Sequence, residues 1–189
     1  MITMPEHETP KRTVDMDPQK LKRLANKLSL HFWGKPCQIP VAWNGRLRRT
    51  MGRFLFTEQS GKRTPLKIEL SKYAAQWIDR DIFVAVLLHE LCHYHLFIQG
   101  QPYQDHHPVF EQELKRVGAI STQRVQLPQK AYKLYCQGCE RYLGIRRRLN
   151  TSRYRSQCCQ KAIVKKETWL GEFRYDGHIL KNSKVRLPE

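Results

Sequence analysis

Ile82-Phe83-Val84-Ala85-Val86-Leu87-Leu88-His89-Glu90-Leu91-Cys92-His93 joins an apolar run to a five-residue word, His-Glu-Leu-Cys-His. The run reads as a buried helix. An α-helix repeats every 3.6 residues and rises about 5.4 Å per turn, so positions four apart lie on one face. His89 and His93 can therefore present two imidazoles to one ion, and zinc accepts such nitrogens at about 2.0–2.1 Å. Glu90, one residue on, falls beside the metal rather than on it. From there it is placed to take a proton from a zinc-activated water, as general base and then general acid.

A catalytic zinc takes three protein ligands plus water, so a third ligand must come from beyond this helix. The metzincin pattern asks for Gly three residues and His six residues after the second ligand. Those positions here are Leu96 and Gln99, which excludes that class. The remaining candidates are Asp105, His106, His107, Glu111 and Glu113. His106, in the loop just before the helix that Pro108 opens, is the expected third ligand, with His107 its nearest rival. Glu111 or Glu113 would complete a His-His-Glu set, but both read more simply as exposed positions on the polar face of that helix. His95, two residues past His93, reads as a packed or surface histidine, and Cys92 and Cys37 as small core residues.

Working outward, Asp17-Pro18 starts a helix with an acidic N-cap and proline in the first turn, and Leu21, Leu24, Ala25 and Leu28 follow at helical spacing to an end near Gly34. Gln38 to Trp43 reads as a strand, Asn44-Gly45 as a two-residue hairpin, Leu47 to Thr57 as the returning strand, and Leu66 to Leu70 as a third strand after Ser60-Gly61. A short helical piece covers Lys72 to Trp77. Asp79 caps the long helix and Gly100 ends it. Pro108 opens a further helix closed by Gly118. The expected class is α+β: helix, three-stranded meander, the His-Glu helix, further helix.

The six cysteines are Cys37, Cys92, Cys136, Cys139, Cys158 and Cys159. Cys136-Gln-Gly-Cys139, then Cys158-Cys159, can clamp a second, structural zinc across two short strands, Tyr142 to Ile145 and Ser152 to Arg155. Such a small module would draw its folding energy from the metal. The predicted organisation is a flexible N-terminus at 1–16, a catalytic α+β domain at 17–123, a zinc ribbon at 124–165 and a basic extension at 166–189. Trp169, Phe173 and Tyr175 suggest one more strand.

Lys and Arg number 34 against 17 Asp and Glu, a net charge of +17. Residues 124–189 carry 16 of those bases and 5 acids, a net of +11, so the positive field is concentrated in the C-terminal third. Such a field attracts polyanions. Arg146, Arg147, Arg148, Arg153, Arg155 and Lys161 surround the ribbon, with Tyr135, Tyr142 and Tyr154 interspersed. Cations for phosphates beside aromatic faces for bases suit single strands or junctions, without sequence-specific reading. No segment approaches the ~20 apolar residues of a membrane span, and the polar N-terminus lacks a secretory signal, so a cytoplasmic monomer is expected.

The His-Glu-Leu-Cys-His-Tyr-His word at 89–95, the Trp43-Asn-Gly-Arg-Leu-Arg-Arg-Thr-Met-Gly-Arg53 hairpin and the Cys136–Cys139 pair together resemble the bacterial SprT-like family, related to the eukaryotic Spartan proteases. The resemblance covers roughly residues 15–165. It implies a zincin-like metalloprotease domain followed by a zinc ribbon and, by analogy with Spartan, cleavage of proteins attached to DNA. It assigns His89 and His93 as zinc ligands and Glu90 as catalytic acid/base. His106 matches the third ligand of Spartan-type members. Other bacterial members place that histidine one step earlier, where this chain has Asp105. The family's second cysteine pair is usually Cys-x-x-Cys, and this chain has Ser156 at the first of those positions and Cys159 at the second. Two other readings share these features: a DNA-binding ribbon protein with a vestigial protease site, and another small zinc hydrolase such as a deformylase or small-peptide enzyme.

Overall fold

A computed structural model of the chain describes residues 16–120, 125–171 and 174–175. The expected flexible segment lies almost wholly outside the described residues, as do 121–124, Phe173 and residues 176–189 of the expected basic extension. Two compact units emerge, one holding 16–125 with 174–175, the other 126–171.

The first unit is mixed α and β. Helix α1 (Pro18–Trp33) starts as its sequence demands: the Asp17 side chain accepts from the Lys20 N–H at 2.8 Å, and Pro18 fills the first turn. It stops at Gly34, whose φ of +67° lets its N–H reach back to the Leu30 carbonyl. Leu21, Ala25, Leu28 and Ser29 form its buried stripe. Strands β1 (Val41–Asn44), β2 (Gly52–Gln59) and β3 (Lys62–Ser71) follow, then a 3₁₀ turn at Ala74–Gln76.

The sheet order is β1-β3-β2, with β1 parallel to β3 and β2 antiparallel to it. This corrects the expected meander. Asn44-Gly45 is not a hairpin turn, because Gly45 lacks the positive φ that such a turn requires. The Asn44 side chain instead accepts from Arg46 N–H at 2.7 Å and donates to Glu69 at 2.8 Å. The tight hairpin is Ser60-Gly61, with φ of +50° and +76°, which pairs Gln59 with Lys62. Burial explains the order: Ile68, Glu69, Leu70 and Ser71 are all buried and occupy the central strand, while β2 is largely exposed and takes an edge. Pro65, which has no N–H to offer, lies beyond the stretch of β3 that pairs with β1, next to a register shift in β2.

Helix α2 (Arg80–Ile98) is the centre of this unit. Asp79 caps it by accepting from Ile82 N–H at 2.8 Å, and the chain turns away at Gly100, φ +68°. Twelve of its nineteen residues are buried, because α1, α3 and the sheet all pack on it. Each fully buried Leu or Phe contributes roughly 1.5–3 kcal/mol of transfer free energy. It is also the one helix among the described residues long and apolar enough to cross a membrane by length and composition, an exception to the expectation that no segment approaches that length. Its apolar character is spent inside the protein, where 67% of that window is buried. Helix α3 (Pro108–Val117) ends at Gly118, φ +71°. Beyond it Ile120 N–H reaches the Ala85 carbonyl of α2 at 3.3 Å.

A two-stranded ladder joins β4 (Val125–Gln126) and β8 (Arg174–Tyr175). The second unit is an antiparallel sheet of β5 (Gln129–Cys136), β6 (Tyr142–Arg146) and β7 (Ile163–Leu170) in the order β6-β5-β7. The segment Ser152 to Arg155 is not the expected strand. Asn150 caps a 3₁₀ turn over Thr151–Arg153 by accepting from Ser152 N–H, and the third strand is supplied by β7, which takes in Trp169.

Candidate metal centre

Helix α2 sets His89 and His93 one turn apart, and their Nε2 atoms lie 3.2 Å from each other. Each ring is fixed by its other nitrogen. His89 Nδ1 is 2.9 Å from the Ile120 carbonyl and His93 Nδ1 is 2.6 Å from the Tyr103 carbonyl. A carbonyl only accepts, so both Nδ1 atoms carry the proton, and in the neutral rings the Nε2 lone pairs face one another. Phe110, wholly buried on α3, braces both rings. His93 stacks on it at 4.2 Å and His89 meets it edge-on at 5.2 Å.

Asp105 completes the group. Its Oδ1 lies 3.4 Å from His89 Nε2 and 3.5 Å from His93 Nε2. Tetrahedral bonds of about 2.0–2.1 Å place donor atoms roughly 3.3–3.4 Å apart. The three observed separations fit that triangle, so these residues are compatible with a divalent metal ion. The histidine side chains are nearly covered and that of Asp105 is 50% exposed, which leaves the group open on the Asp105 side.

The charges agree. With a proton also on Nε2, the two imidazoles hydrogen-bond to Asp105 and hold its carboxyl well below the usual carboxylate range, against its partial burial. Burial pulls the His89 imidazole down, but the Asp105 hydrogen bond and the Glu90 charge outweigh it, and its pKa is raised. The group favours a cation at the point where the lone pairs meet.

Glu90 stands beside this triangle and is only 5% exposed. Its Oε2 is buried without a hydrogen-bond partner among the described residues. Burial raises its pKa, opposed by the two histidines. Gly52 makes room for it: a Cβ there would lie 2.6 Å from Glu90 Oε1.

The other candidates fall outside the group. His106 follows Asp105 in a left-handed turn, φ +65°, and is not among the clustered donors. His107 is the N-cap of α3, its Nδ1 accepting from Val109 N–H at 3.3 Å. Glu113 binds Trp33 and Arg116, and Glu111 lies in the first turn of α3, outside the cluster. His95 is packed, against Ser29 and stacked on Trp33 at 4.2 Å, and Cys92 and Cys37 are buried. Sequence reasoning gave no role to Gly52 or to the Ile120 and Tyr103 carbonyls. A glycine inside a strand does signal close approach of another group, but backbone carbonyls leave no mark in a sequence.

In the second unit the sulfurs of Cys136, Cys139, Cys158 and Cys159 lie within 4.8 Å of one another. The Ser156 hydroxyl and the Cys139 and Gly138 N–H groups bring the Cys136 thiol down to about 6, whereas Cys139, with burial and the other thiols, pushes Cys159 up to about 12. Thiols this close cannot all ionise unless a cation joins them, so this cluster too is compatible with a metal.

Arg146, Arg147, Arg148, Arg153, Arg155 and Lys161 are all exposed, and none forms an ion pair among the described residues. Tyr142 and Tyr154 are 51% and 53% exposed, and Tyr135 packs against Tyr142 at 5.6 Å.

The chain is similar to known proteins. The SprT-like family model matches residues 21–133. A protein named SprT-like from Bacillus cereus is 35% identical over 158 residues, covering 81% of this chain and 99% of the relative. One from Streptococcus pneumoniae is 36% identical over 149 residues, covering 77% and 95%, and one from Geobacillus kaustophilus is 29% identical over 153 residues, covering 78% and 98%.

Proposed function

The chain belongs to the SprT-like family, and from that premise we propose that it is a zinc-dependent metallopeptidase acting on proteins associated with DNA. One observation carries the reading: two imidazole nitrogens and the Asp105 oxygen form a triangle of tetrahedral dimensions, beside a buried carboxylate with an unpartnered oxygen. The ligands are then His89, His93 and Asp105, with Asp105 in the place expected of His106.

A zinc ion held there supplies Lewis acidity, lowering the pKa of water to about 7 and polarising a carbonyl. The protein does the rest. Glu90, its proton affinity raised by burial, takes the proton of the attacking water and delivers it to the leaving amine. The space left by Gly52 admits its carboxylate beside the metal for that transfer. The Ile120 and Tyr103 carbonyls keep both imidazoles in the ligating tautomer.

The same proposal gives DNA contact to Arg146, Arg147, Arg148, Arg153, Arg155 and Lys161. Their exposure and freedom from ion pairs support it, as do the open faces of Tyr142 and Tyr154. With no α-helix among the described residues of 126–171, contact through phosphates and stacking suits single strands or junctions rather than a sequence. The setting is a cytoplasmic monomer.

The test compares purified wild type with Glu90→Gln for zinc content and cleavage of a protein substrate, with and without single-stranded DNA. Glu90→Gln keeps its zinc while cleavage falls by about 10²–10⁴-fold. Cleavage by the variant at the wild-type rate rejects the assignment.

A further inference from the structure

Residues 136–141 and 156–161 are the same turn built twice. Cys136 N–H donates to the Arg141 carbonyl at 2.9 Å, and the Cys136 carbonyl accepts from Glu140 N–H at 2.9 Å. Ser156 N–H donates to the Lys161 carbonyl at 2.9 Å, and the Ser156 carbonyl accepts from Gln160 N–H at 2.9 Å. The fifth residue of each turn takes a left-handed conformation without being glycine, Glu140 at φ +56° and Gln160 at φ +54°. Ser156 is thus the structural counterpart of Cys136, and Cys159 of Cys139.

The first turn presents its thiols from positions one and four. In the second turn position four is Cys159, but position one is a hydroxyl, which does not ionise as a thiol does. The missing sulfur comes from position three. In the first turn that position is Gly138, where a Cβ would lie 3.0 Å from Lys161 Cγ and 3.5 Å from Cys159 Cβ. The third position of this turn therefore abuts the opposite turn. Its counterpart in the second turn is Cys158, and Cys158 Sγ lies 3.5 Å from Cys139 Sγ across the gap. Zinc–sulfur bonds of about 2.3 Å place tetrahedral sulfurs roughly 3.8 Å apart, a spacing within the 4.8 Å limit that encloses all four.

Ser156 keeps a role. It is 1% exposed, its Oγ accepts from Lys161 N–H at 3.2 Å, and the same oxygen lies 3.1 Å from Cys136 Sγ. Either atom of that pair can donate while Cys136 is a thiol, but once Cys136 is a thiolate only the hydroxyl can. We propose that Cys136, Cys139, Cys158 and Cys159 hold one zinc ion. Cys158 serves in place of the slot that Ser156 fills, and Ser156 donates a hydrogen bond to the Cys136 thiolate.

This site is independent of the one on α2, and the experiment separates them. Full-length protein carrying His89→Ala and His93→Ala is titrated with zinc against a chromophoric chelator, and with Co(II) to read thiolate-to-metal charge transfer. The parent binds one ion with thiolate absorption. Adding Cys158→Ser weakens zinc by at least 100-fold, and adding Ser156→Cys to that variant restores both affinity and charge transfer. The restoring step guards against a Cys158→Ser chain that merely misfolds. A parent without a tightly bound ion overturns the proposal. So does a Cys158→Ser variant that binds like its parent, or a failure of Ser156→Cys to restore binding.

Discussion

Gly52 carries the sharpest constraint at the scale of single residues. Any side chain there would push into Glu90, since a Cβ would lie 2.6 Å from Oε1 and 2.8 Å from Cγ. The Glu90 carboxylate would have to move, and displacement by about 1 Å at a reacting group can cost 10²-fold. Gly52→Ala is expected to lower turnover by that order while zinc content stays at the wild-type level, because none of His89, His93 or Asp105 is touched. Turnover equal to wild type, measured on metal-loaded protein, would show that the glycine does not position the carboxylate. The placement of the His-Glu word was legible: helical spacing alone put His89 and His93 on one face and Glu90 beside them. The third donor was not. Asp105, His106 and His107 are consecutive, and which of them reaches α2 depends on a left-handed turn at His106 and on His107 capping α3. Loop geometry of that kind is fixed by the assembled neighbours.

At the scale of elements, helices were read more accurately than strands. Asp17, Gly34, Asp79, Pro108 and Gly118 mark helix ends through capping chemistry that acts locally, and each stands where it was expected. The sheet order is a question of which strand the core buries most deeply, and the Asn44-Gly45 dipeptide pointed the wrong way. What ties the three strands is Glu69 on β3. It receives Lys67 at 2.6 Å, Arg53 of β2 at 2.7 Å and Asn44 of β1 at 2.8 Å, with its own side chain only 9% exposed. Lys67 first, then Asn44 and Arg53, hold its carboxyl down to about 2 from 4.5, against the opposing effect of burial. The folded state thus binds this proton less readily than the unfolded chain. The stabilisation is complete above about pH 4.5 and is lost as pH falls towards 2, on the order of 2–3 kcal/mol. Glu69→Gln should remove that part of the acid dependence. Denaturant melts between pH 2 and 5 in which wild type and variant show the same slope would contradict the assignment.

Across the whole molecule, charge and chemistry are divided. The first unit carries the proposed peptidase centre, and the second lies in the segment of highest positive charge. If the six exposed cations all meet phosphates, affinity for single-stranded DNA should fall by about two to three decades between 50 and 200 mM salt. A fall of less than one decade would remove the phosphate contacts from the account. Composition revealed this asymmetry directly, since net charge needs no fold to be counted. The path of the chain from 129 to 170 was harder to read: β5 was not foreseen as a strand, and β7 carries three consecutive charged residues, Lys165 to Glu167, with none of the alternation that marks a half-buried strand. Its pairing with β5 holds it in place where its own sequence pattern gives little signal.

In the proposed peptidase, His89, His93 and Asp105 ligate one zinc ion while Glu90 stays uncoordinated beside it. A crystal structure of the zinc-loaded protein, with anomalous differences recorded on both sides of the zinc absorption edge, tests it most directly. The expected result is a zinc peak about 2.0–2.2 Å from both Nε2 atoms and from a carboxylate oxygen of Asp105, with Glu90 unbonded to the ion. A peak bonded to His106 in place of Asp105, a direct bond from Glu90, or no zinc between the two imidazoles would contradict it.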